Sequence, residues 1–155
     1  MLAFAFLIFY ILPRGRNKMR FQKTTEYAIR VMVFLADHKE DRYSVNQLHQ
    51  ILQIPYKYLG RLMQKLSGAG LVDVAQGKQG GYRIIQDLSN IYLSEIVNVV
   101  EGLEDYGRCV LGFPECSEEN PCSLHKIWLD RQESIKKMIY DTTLADLQGN
   151  GIIKY

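Results

Sequence analysis

Apolar residues first recur at helical spacing over residues 24–38. There Tyr27, Val31, Phe34 and Leu35 take the i, i+4, i+7 and i+8 positions of one buried stripe. A charged turn around 37–43 leads to a shorter helix. Ser44 opens it, because Gln47 three residues on completes a capping box, and Val45, Leu48, Ile51 and Leu52 form its apolar face. Gln53 and Ile54 break the period. Pro55 suits the first turn of a third helix, where a missing N–H leaves nothing unsatisfied. Tyr58, Leu59, Leu62, Met63 and Leu66 give that helix its core face, and Gly68 and Gly70 end it. The period then shortens: 71–75 (LVDVA) and 82–86 (YRIIQ) read as strands joined by the Gly-rich QGKQGG. A fourth short helix is expected over 93–100, and a long one over 122–140.

These elements predict a mainly α fold with a small β-hairpin wing. A winged helix-turn-helix domain occupies 19–92, a cysteine loop and a long helix occupy 93–147, and a tail fills 148–155. The long helix carries Leu124, Ile127, Trp128, Ile135 and Met138 on an apolar stripe longer than a small domain needs for itself. A second copy of the same helix is the simplest cover, so a homodimer is expected. Residues 1–18 stand apart. Their apolar run of twelve is short of the roughly 20 residues that span a bilayer, and Arg14, Arg16 and Lys18 follow it where a signal peptide has its charge first. We expect an extension ahead of a domain that opens at Met19, from a misassigned start or disordered, with a short anchor as the alternative. A cytoplasmic protein is expected.

Charge sharpens the picture. From Tyr56 to Arg83 five cationic side chains face a single Asp73, whereas from Ser94 to Cys122 seven acids face Arg108 alone. A basic third helix followed at once by a Gly-tipped hairpin is the order in which a winged helix meets double-stranded DNA. Tyr56, Lys57, Tyr58, Arg61, Gln64 and Lys65 are the candidate contacts on the helix, and Lys78, Gly80 and Gly81 those on the wing. Lysines here neutralise phosphate, Arg61 can fork onto a guanine edge, and glycines let the backbone approach closely.

All three cysteines, Cys109, Cys116 and Cys122, fall within fourteen residues, and His125 follows the last by three. An odd number argues against a disulfide framework, and thiolates are soft ligands for zinc or an iron–sulfur cluster. Three cysteines and a histidine satisfy tetrahedral zinc as well, so spacing leaves both metals open. No nucleophile–base pair or phosphate loop stands out, and neither an enzyme nor a small-molecule substrate is expected.

MRFQKTTEYAIRVMVFLA, IPYKYLGRLMQKLSGAGLV, GKQGGYRI, the C…C…CxxH segment and TTLADL together resemble the IscR/NsrR group of bacterial winged-helix transcription regulators. The resemblance spans about Met19 to Leu147. It implies a homodimer on an inverted-repeat operator, with an iron–sulfur cluster whose state controls DNA affinity. It also implies a 2Fe–2S cluster on Cys109, Cys116, Cys122 and His125. The other branch of the group implies a 4Fe–4S cluster with Glu26 of the partner subunit as fourth ligand; the intact CxxH spacing favours His125. A zinc-stabilised or metal-free module that binds DNA constitutively is the alternative. The Cys109–Cys116 gap is one residue longer than in IscR-like members, and Gly60 stands where a larger polar residue is common.

Overall fold

The computed structural model describes residues 21–149, so the extension over 1–18 and most of the expected tail lie outside the described residues. Helix α1 spans Lys23–Asp37 and α2 spans Val45–Leu52. Ser44 caps α2 as its spacing predicts: its hydroxyl accepts from the Gln47 N–H while the Gln47 side chain accepts from the Ser44 N–H. Ser44→Ala is expected to lower stability by about 1 kcal/mol, read as a lower denaturation midpoint at unchanged slope. Gln53 closes α2 in the left-handed conformation at φ 53°, and the next residue, Ile54, is fully buried in the main core.

Helix α3 spans Tyr56–Gly68. Pro55 lies one position earlier than the sequence pattern implied: it is the N-cap, not the first helical residue. The helix ends in a Schellman turn, with Gly70 at φ 76° and the Gly70 and Leu71 N–H groups bonded to the Ser67 and Leu66 carbonyls at 3.0 Å each. Leu71 and Val72 are thereby buried as core residues, and the hairpin is shorter than the expected strands. Strand β1 is Asp73–Ala75 and β2 is Gly81–Arg83, paired antiparallel with Val74 opposite Tyr82. Tyr43 pairs with Tyr82 on the other edge of β2.

Helix α4, Leu93–Val100, has the expected bounds. Helix α5 spans His125–Asp141, so Cys122 sits in the turn before the long helix, where its carbonyl accepts from the His125 N–H at 3.0 Å. Pro121 and the bends beside it delay the helix. A last turn, α6 (Leu144–Leu147), is capped by a reciprocal Thr143–Asp146 pair and returns to the winged domain. The Leu144 N–H reaches the Ile91 carbonyl at 2.7 Å, and the Gln148 side chain reaches the Ala36 carbonyl at 2.9 Å. The main core is accordingly continuous: Leu35, Leu48, Met63, Ile96 and Leu144 belong to one buried cluster. A second, smaller cluster of Leu93, Val97 and Ile139 fastens α5 to α4, with Phe21, Tyr106 and Ile135 packed around it.

Candidate nucleic-acid interface and metal centre

Helix α3 separates its two jobs by face. Leu59, Leu62, Met63 and Leu66 are buried, whereas Tyr56, Lys57, Arg61, Gln64 and Lys65 are exposed. Among the described residues none of Lys57, Arg61, Lys65 and Lys78 joins an ion pair, so these cations stay available to an external anion. Tyr58 is placed differently. It is half-buried, its hydroxyl shares a short hydrogen bond with Thr24 Oγ1, and its ring packs edge-on against Tyr27 at 5.4 Å. Around Gly60 a side chain would meet open space.

The wing's glycines have separate reasons. A Cβ on Gly80 would lie 2.3 Å from the Ala75 carbonyl oxygen, and one on Gly81 would lie 2.8 Å from the Tyr43 carbonyl carbon. Gly81 also holds φ 143°. Gly80 is thus required by the hairpin's own backbone and Gly81 by the close approach of the Tyr43 segment beside β2. Arg42, read only as part of a charged turn, anchors the hairpin: it pairs with Asp73 and donates to the Gly81 carbonyl at 3.0 Å. Asp73, the one acid in the basic stretch, is already engaged.

The cysteine loop brings its three thiols together. The Sγ atoms of Cys109, Cys116 and Cys122 all lie within 4.8 Å of one another, and none is in a disulfide. His125 borders them, with Nδ1 3.1 Å from Cys116 Sγ, and its buried Nε2 has no hydrogen-bond partner. Burial pushes the Cys109 thiol up, but the Phe113 and Leu111 N–H groups and the other two thiols outweigh it and hold Cys109 below the ordinary value. At Cys116 a backbone hydrogen bond from Cys122 pulls the thiol down; burial and the neighbouring sulfurs prevail and leave it above that value. The opposite shifts belong to one coupled system, so the loss of protons is a property of the neighbouring thiols together. This donor set fits a soft metal group, because three thiols converge and His125 Nδ1 lies against one of them, although His125 itself stands outside the group whose ligand atoms are mutually within 4.8 Å.

The loop is held from α5. Trp128 Nε1 and Gln132 Nε2 both donate to the Arg108 carbonyl, at 2.9 and 3.2 Å, which fixes the backbone just ahead of Cys109. Gln132 is buried at 6% exposure, and the apolar pattern overlooked it because its partner is a loop carbonyl far along the chain. Glu26 lies outside its own chain's thiol group; its carboxylate pairs with Lys23 at 2.7 Å. Of the candidate dimer residues, Leu124, Ile127 and Met138 are exposed, Ile127 by 65%, while Trp128 and Ile135 are partly engaged within the chain. No helix among the described residues is long and apolar enough to cross a membrane.

A basic helix with an unencumbered polar face, a glycine-built wing and a thiol-rich loop are the features of a winged helix-turn-helix regulator. The chain belongs to the Rrf2 family: residues 21–150 match the family described as an iron-dependent transcriptional regulator. It is 31% identical over 133 residues to the HTH-type transcriptional regulator IscR of Yersinia pseudotuberculosis, covering 85% of this chain and 80% of that one. CymR, the global cysteine regulator of B. subtilis, superposes with a TM-score of 0.70 at 25% identity, over 84% of this chain and 96% of that one. IscR of T. potens shares the fold, with a TM-score of 0.66 at 24% identity, over 91% and 97% of the two chains. Regulators of this family bind DNA and are typically dimeric.

Proposed function

We propose that this regulator controls transcription through an iron–sulfur cluster held by Cys109, Cys116, Cys122 and His125, as a homodimer on an inverted-repeat operator. One observation carries the ligand assignment: three thiols converge within 4.8 Å beside a histidine whose buried Nε2 lacks a partner. His125 is favoured over Glu26 of the partner subunit because it already lies against Cys116, whereas the Glu26 carboxylate is paired with Lys23. When bound, such a cluster supplies one-electron redox chemistry and iron that responds to its ligands, and 2Fe–2S is the form that mixed cysteine and histidine ligation suits. The chain's own part is to hold the loop against α5 and to present Lys57, Arg61 and Lys65 with Lys78 to DNA. Ile127 and Met138 on α5, with Leu124 at its N-cap, supply the apolar face for a second copy.

The experiment is anaerobic purification of the wild type, His125→Ala and Glu26→Ala, with absorption spectra and iron, sulfide and zinc assays on each. About two iron and two sulfide per wild-type chain, reduced by His125→Ala alone, is the expected result. About four of each, lost in Glu26→Ala, moves the fourth ligand to the partner subunit. A colourless protein with one zinc per chain overturns the sensing function and leaves the DNA-binding surface standing.

A further inference from the structure

Glu101 is the C-cap of α4, and its carboxylate ties the start of α1, distant in sequence, to Tyr106 five residues further on. Oε2 accepts from Thr25 Oγ1 at 2.6 Å and from the Gln22 N–H at 3.0 Å. Oε1 accepts a short hydrogen bond from the Tyr106 hydroxyl. Gln22 is the N-cap of α1 and supplies no capping side chain, so Glu101 provides from another helix an acceptor at the start of α1. One residue before Thr25, Thr24 shares its short hydrogen bond with Tyr58 in the first turn of α3.

These contacts form a continuous connection. Tyr106 lies three residues before Cys109, and the intervening Arg108 carbonyl is fixed by Trp128 and Gln132. From Tyr106 the connection runs through Glu101 to Thr25, then from neighbouring Thr24 to Tyr58 on the DNA-reading helix. Its middle is discrete. Thr25 is fully buried, so water does not replace Glu101 as partner to its hydroxyl, and a displaced carboxylate leaves a buried group unsatisfied. The ring of Tyr106 meets Phe21 edge-on at 6.2 Å, so the start of α1 and the approach to the cysteine loop also pack directly.

We propose that Glu101 and Tyr106 are positioning residues that couple the cysteine loop to the recognition helix α3 through the N-terminus of α1. The coupling rests on the cluster-dependent function proposed above; its mechanical part does not. A rearrangement of the loop at Cys109 shifts Tyr106, changes the Glu101 acceptor at the start of α1, and moves Thr24 relative to Tyr58. Recognition helices of a dimer must meet two half-sites at fixed spacing, so a small reorientation of α3 changes affinity.

Tyr106→Phe and Thr24→Val each remove one hydroxyl and no core volume, and Glu101→Gln keeps the side chain's shape. For wild type and each variant, affinity for a duplex selected from a random DNA pool is measured with the cluster loaded and removed. Iron content and absorption spectrum are recorded alongside. Amide hydrogen exchange is followed in the cluster-free proteins. Tyr106→Phe and Thr24→Val are expected to shrink the loaded-to-free affinity ratio by about fivefold or more, with spectrum and iron content unchanged. Cluster-free Tyr106→Phe is expected to exchange faster in the first turns of both α1 and α3. A wild-type ratio in both variants, with faster exchange confined to 101–108, overturns the coupling. Equal affinities in the loaded and cluster-free wild type defeat the sensing function instead. The exchange pattern then decides the mechanical connection alone: spread to α3 sustains it, and confinement sinks it.

Discussion

Serine at any one of Cys109, Cys116 or Cys122 is expected to strip anaerobically purified protein of bound iron while leaving the winged domain folded. The substitution is nearly isosteric, yet it exchanges a soft thiolate for a hydroxyl that stays protonated near neutral pH. Each sulfur lies within 4.8 Å of the other two, so none is peripheral to the group. Loss of affinity is expected to exceed the roughly 10–100-fold that changes to outer-shell partners cost. The fold is insulated because the three cysteines belong to neither buried cluster. Iron and sulfide assays, with circular dichroism on the same samples, check both halves. Wild-type iron in Cys116→Ser would remove that residue from the ligand set, and a collapsed helical signal would show that the loop supports the core.

Arg61→Ala is expected to weaken binding to a selected duplex by about 1–3 kcal/mol and to relax sequence preference at one position of each half-site. Lys57→Ala and Lys65→Ala are expected to weaken all sequences alike. Each lowers the slope of affinity against salt by roughly one counterion for every phosphate left without its lysine. The contrast follows from chemistry: a guanidinium forks onto a base edge, whereas an ammonium is a point charge. All three side chains are exposed on a helix whose other face is buried, so stability is expected to change little. Affinity against salt concentration, measured on matched and scrambled duplexes, separates the two classes. An Arg61→Ala protein with unaltered preference would place base reading elsewhere, with Gln64 and Tyr56 next on the same exposed face.

The local features of this chain were legible where neighbouring residues decide them. The Ser44–Gln47 cap, the bounds of α4 and the two faces of α3 each follow from side chains within one or two turns. Clustering of the cysteines also signalled their convergence. The hairpin's ends were not legible, because Leu71 and Val72 look like strand until the Schellman turn directs them into the core. The start of α5 was misplaced for a related reason: the apolar stripe continues back to Leu124, but the turn after Pro121 keeps Cys122 outside the helix.

What the sequence determined by itself is the inventory and its periodicity: the basic outward face of α3, the glycine-tipped wing, three thiols with a histidine, and an apolar stripe on the last long helix. Those depend on residue type and short spacing, which backbone geometry converts directly into faces. Only the tertiary structure decided which polar groups join distant segments. Gln132 and Trp128 hold the Arg108 carbonyl, Arg42 holds the wing, and Glu101 ties the start of α1 to Tyr106. No periodic pattern encodes these pairs, because each forms only where packing brings together groups distant along the chain or in separate elements, and where they are partly shielded from water an unmade bond costs more.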